Sequence, residues 1–89
     1  METVAERIKE QMVRYGMSGS QADAALEEAI PKVNELMPDY KEIWAKRADS
    51  YPPIIYSLIW VSLRPLILSW IDVNIPQAWY RPMFERKNK

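Results

Sequence analysis

Twenty consecutive residues, Ile54 to Val73, carry only two charges, Arg64 and Asp72, and an Arg64-Pro65 pair sits at their middle. Twenty apolar residues is the length a bilayer crossing requires. Two features argue against a crossing. An arginine at the midplane costs about 2.5–3.5 kcal/mol on insertion scales, and a proline frees a backbone carbonyl where no water can pair with it. Trp60 and Trp70 also lie inside the stretch rather than as belts at its ends. The segment therefore reads as a central helix covered by protein, apolar nearly all round. Its polar positions fall on different lines before and after Pro65: Ser57 with Arg64, then Ser69 with Asp72. That change of direction predicts a bend or break at the proline.

Covering such a helix is demanding for a chain of 89 residues. Ile54, Ile55, Leu58, Ile59, Trp60, Val61, Leu63, Leu66, Ile67, Leu68, Trp70, Ile71 and Val73 all need shelter. At about 25 cal/mol per Å2, several exposed side chains forfeit kilocalories and form a patch. The expectation is that another chain buries part of this surface; the alternative is that the remaining helices of the same chain suffice, helped by an Ala-rich second helix that allows close approach.

The rest of the chain supplies amphipathic helices. Thr3 and Glu6 make a capping-box pair before a face of Val4, Ile8, Met12 and Tyr15, and Gly16 is the natural stop. A second helix is expected from Ser20, with Ala22, Ala25, Leu26, Ala29, Val33, Leu36 and Met37 in phase across Pro31. Asp39 and Glu42 predict a short third helix turning Tyr40, Ile43, Trp44 and Ala48 inward. Tyr51-Pro52-Pro53 ends it, and Pro53 suits an early position of the apolar helix. After Asn74 the periodicity dissolves, leaving room for one helical turn. The fold class is all-α: a compact bundle of four to five short helices with proline bends or breaks near residues 31 and 65. The expected domain spans 1–78, with 79–89 as an aromatic, basic and partly disordered tail.

Chemistry is poorly provided for. The chain has no Cys and no His, which removes thiolate and imidazole metal ligands and the one side chain that titrates near neutrality. Ser57, Ser62 and Ser69 have no histidine to activate them. Glu27 and Glu28, adjacent on a helix, point about 100° apart, and two glycines cannot build a phosphate loop. The expectation is a protein that is not an enzyme and uses no cofactor or metal.

Charge is balanced overall but not along the chain. Residues 1–50 hold seven basic and ten acidic groups (−3), and residues 51–89 hold five and two (+3). Two differently solvated surfaces explain this, as does head-to-tail association or an acidic partner. Nucleic acid is an unfavoured partner, because Asp23, Glu27, Glu28 and Glu35 on the second helix repel phosphates. Arg81, Arg86, Lys87 and Lys89, mixed with Trp79, Tyr80 and Phe84, keep the tail open to base stacking. The stretch RYGMSGSQADAAL, Arg14 to Leu26, resembles the helix–loop–helix of ubiquitin-associated domains. The resemblance implies a local connection and no function. The charged N-terminus lacks an apolar signal-peptide core, which points to a cytoplasmic protein.

The functional expectation is a small non-catalytic interaction module that binds a protein partner or itself. An adaptor, an inhibitor or a self-associating accessory protein of phage or plasmid scale fits. The contact residues expected are Tyr56, Trp60, Arg64, Trp70, Trp79, Tyr80 and Phe84, since aromatics and arginine dominate interface energetics. Arg64 is the expected anchor. Membrane association through residues 54–73 is the first alternative, and nucleic-acid binding through the tail the second.

Overall fold

The computed structural model describes residues 2–85. The chain forms an all-α bundle of helices α1 (Val4–Tyr15), α2 (Gly19–Leu36), α3 (Pro53–Asn74) and the single turn α4 (Arg81–Phe84). Between α2 and α3 lie three 3₁₀ turns, Pro38–Tyr40, Ile43–Ala45 and Ala48–Ser50.

Helix α1 starts on the expected capping box. The Thr3 hydroxyl accepts from Glu6 N–H, and the Thr3 N–H donates to the Glu6 carboxylate at 2.8 Å. It stops at Gly16, whose φ of 123° is positive. The start of α2 differs from expectation. Ser18, not Ser20, is its cap, with Gln21 completing a second capping box. Gln21 stands three residues after Ser18 and can return the hydrogen bond, an arrangement Ser20 does not have. Ser18→Ala should therefore cost about 1 kcal/mol, while Ser20→Ala stays within about 0.5 kcal/mol. Urea denaturation of the two variants checks this.

Neither proline breaks its helix: α2 runs through Pro31 and α3 through Pro65. Both prolines are on the exposed side. The carbonyls they deprive of a donor, those of Glu27 and Val61, belong to exposed residues that water can reach. That placement keeps each helix in one piece.

The expected third helix is instead the three 3₁₀ turns. Ile43, Trp44 and Ala48 are buried as predicted, but a clamp to the N-terminus dictates the backbone. Val4 N–H donates to the Lys46 carbonyl and Ala48 N–H to the Glu2 carbonyl, both at 2.9 Å, forming an isolated antiparallel bridge between Thr3 and Arg47. These bonds satisfy groups that a continuous helix would use internally.

The core gathers Val4, Ile8 and Met12 from α1, Ala22, Ala25, Leu26, Ala29 and Val33 from α2, and Ile59, Leu63, Ile67 and Ile71 from α3. It is closed by Tyr80 and Phe84. The boundary drawn at residue 78 is corrected accordingly. Residues 79–85 belong to the domain, because Phe84 is wholly buried and Tyr80 nearly so. Arg86, Lys87 and Lys89, on which the nucleic-acid alternative leans, lie outside the described residues.

Candidate functional site: the outward face of helix α3

Helix α3 is 22 residues long and buries Ile59, Leu63, Ile67 and Ile71, one every four residues. At about 100° per residue, Ile54, Leu58, Val61, Pro65 and Leu68 fall within about 40° of a single line. That line lies about 160° round the helix from the buried row, so it faces directly away from the core. Ile54 is 60% exposed, Val61 54% and Leu58 47%; Pro65 is exposed and Leu68 half-buried. The spacing of 4, 3, 4 and 3 residues is that of a helix-pairing seam. The stripe continues onto Asp72.

Beside the stripe lies an open depression of about 360 Å3 lined by Ser57, Leu58, Trp60, Val61 and Arg64. The Arg64 guanidinium lies over the Trp60 ring, 5.7 Å from its centroid. Its Nε is buried with no hydrogen-bond partner. Such a group is costly unless something else accepts from it. Trp60 also lines a second, more polar hollow of about 390 Å3 with Arg7, Arg14, Glu2, Glu10 and Tyr56. Three arginines thus surround two half-buried aromatic rings.

No protein family, curated protein or solved structure matches this chain. The face is therefore read from its own geometry.

The structure separates the seven candidate contact residues. Trp60 and Arg64 come together beside the stripe. Tyr56 is half-buried, its hydroxyl donating to the Ala48 carbonyl at 2.9 Å with Arg7 5.4 Å above its ring. Burial pushes the Tyr56 phenol above its ordinary value. Trp70 is half-buried, and its Nε1 donates to Glu28 at 3.1 Å. Trp79 is 71% exposed, yet it sits away from the stripe, against the turn at Gly16.

Two candidates need correction. Tyr80 and Phe84 are core residues and offer a partner no surface. The Tyr80 hydroxyl donates to Gln21 Oε1 at 2.7 Å. Phe84 meets Tyr15 edge-on at 5.1 Å and Tyr80 at 6.2 Å. In a chain short of covering material, these rings serve as the cover.

Asp72, at the end of the stripe, accepts two bonds from Arg81, at 2.7 and 3.2 Å. Those bonds hold its carboxyl below the usual carboxylate range. Arg81 also pairs with Glu85 at 3.0 Å. The cluster of one cation and two carboxylates ties α4 to the end of α3 and leaves a net negative end there. Among the described residues, no group of three acidic side chains converges to hold a metal ion.

The stripe is aliphatic, whereas the residue types that most often anchor interfaces are aromatics and arginine. The signal was present: the residues from Ile54 to Leu68 alternate steps of four and three.

Proposed function

We propose that this chain is a non-catalytic interaction module that docks through the outward face of α3, with Trp60 and Arg64 at the edge of the contact. The supporting observation is the apolar stripe from Ile54 to Leu68, aimed away from a core that other residues already complete. Only Leu68, at the end of the stripe, packs against the core; Ile54, Leu58, Val61 and Pro65 are exposed and contribute little to it. Isolated exposed apolar residues need no explanation, whereas a continuous row at seam spacing marks an interaction surface. The orphaned Arg64 Nε adds an acceptor to what the partner would supply.

A bilayer is the second reading, because α3 has the length and composition of a membrane span. One side of α3 is occupied by the core, so this reading takes the form of a helix lying in the membrane surface.

Light scattering of the chain at two concentrations, alone and in an extract of its host, tests the module. Val61→Glu should leave the unfolding transition in place and abolish the larger species. A chain that travels singly under both conditions would sink the module reading. Recovery only with membranes would favour the second.

A further inference from the structure

We infer that the groove between α1 and α2 docks a basic, amphipathic segment of a partner protein, held by its lysine or arginine side chains. This groove shares no residue with the outward side of α3 and is independent of what docks there.

The groove follows from how the two helices are patterned. Residues four apart lie along one line of a helix, so Asp23, Glu27 and Pro31 form one row on α2, with Leu26 and Ile30 in the row beside it. On α1, Ala5 and Lys9 share a row flanked by Glu6. Between them lies an open hollow of about 490 Å3, within the size range of clefts that hold ligands. Its floor is apolar, made by Ala5, Leu26, Ile30 and Pro31. Lys9 closes the end nearer the turn at Gly16 by donating to both Asp23 oxygens, at 3.0 and 3.1 Å. Glu6 and Glu27 line the remainder. Among the described residues, neither has an ion-pair partner.

What stays open in the groove accepts hydrogen bonds and does not donate them. Pro31 has no N–H, so the Glu27 carbonyl loses its helical donor. Glu27 and Pro31 both line the groove. A helical carbonyl points along the axis towards the residue four ahead, so this one lies on the groove wall. An apolar floor beside acceptor-only walls matches a side chain with a methylene stem and a cationic head. Lys9 already fills one end in this way.

The negative field extends past the groove. A neighbouring hollow of about 660 Å3 shares Glu6 and Lys9 and adds Glu2, Glu10, Val13 and Arg14. Across the two hollows, five carboxylates face two cations. Val13, 43% exposed, carries the apolar floor onward. A surface of this sign steers cationic partners in and turns nucleic acid and anionic lipid away. Two adjoining hollows, each with apolar side chains at its base, call for apolar and basic groups in alternation. A peptide has both, and a small polyamine lacks the first.

Amide NMR shifts of the isotope-labelled full chain at low salt test this with three probes: an amphipathic peptide of Leu, Ala and Lys, the same peptide with Glu for Lys, and spermine. The lysine peptide should move Ala5, Leu26 and Ile30 saturably, and the glutamate peptide should not. Spermine, without apolar side chains, should bind about tenfold more weakly. Glu27→Gln should weaken the lysine peptide about threefold, the size of one exposed ion pair. Pro31→Ala is the sharper variant. It returns a donor to the Glu27 carbonyl and trims the floor, so the urea midpoint should rise while peptide affinity falls. A purely structural proline would give the first effect without the second. Val61→Glu, on the α3 face, should leave the titration unchanged. The inference is overturned by the absence of a saturable shift in the groove, by spermine binding as tightly as the peptide, or by a Pro31→Ala chain that keeps full affinity. Loss of peptide binding on Val61→Glu would place the peptide on α3 instead, and groove shifts on concentrating the chain alone would make a second copy the occupant; either overturns it too.

Discussion

Phe84→Ala should lower the stability of this chain by about 3–5 kcal/mol, the range for emptying a fully buried aromatic site. A domain of 89 residues has a total stability of about 5–13 kcal/mol, so the variant loses a large share of what holds it folded. Phe84 is wholly buried, edge-on to both Tyr15 and Tyr80, and 6.4 Å from the Trp60 ring. Its removal takes one ring from the cluster that joins α1, α3 and α4, and nothing nearby is free to refill the space. Thermal unfolding should fall by more than about 10 °C. Phe84→Leu, which keeps much of the volume, should recover most of the loss. A Phe84→Ala protein as stable as wild type would show that residues 79–85 do not belong to the core.

Gly16→Ala should cost about 3 kcal/mol, from two separate sources. The backbone there has φ 123°, a conformation that L side chains rarely adopt, and forcing one costs about 1–3 kcal/mol. The added methyl would also lie 2.7 Å from the Trp79 ring and 2.8 Å from Tyr80 Cβ, an overpacking penalty of similar size. The two can be separated. Adding Trp79→Ala removes the ring but not Tyr80 Cβ or the backbone strain, so part of the loss should return as coupling between the sites. Gly19→Ala is the control. It sits in the first turn of α2 with its nearest neighbour 3.9 Å away, and it should be neutral or stabilise by up to about 1 kcal/mol. Chemical denaturation of wild type, the three single variants (Trp79→Ala included) and the double variant decides the matter. Equal effects at Gly16 and Gly19 would contradict the described turn.

Features carried by neighbouring residues were legible in the sequence. The Thr3–Glu6 box, the stop at Gly16 and the buried row of α2 from Ala22 to Val33 each depend on a few positions close together, whereas Leu36, expected on that row, is exposed. What was missed depends on distant ones. Ser20 competes with Ser18 as a cap until the Gln21 return bond is considered. The segment from Pro38 to Ser50 has helix-forming residues, but bonds from Val4 and to Glu2 hold it in 3₁₀ turns. Tyr80 and Phe84 look like a surface tail because the prolines around them erase periodicity. Their burial is set by contacts such as Tyr80 with Gln21, 59 residues away. The seam on α3 was obscured because the opposite side of the same helix is equally apolar, and only the packing shows which row turns outward.

The Tyr80–Gln21 tie and the Phe84 plug also bear on how the protein matures. A nascent chain can wind α1 and α2 early, yet their shared apolar faces stay open until residue 84 has left the ribosome. Completion of the core therefore waits for residue 84, and a product cut short before it offers chaperones and proteases an unfinished interior.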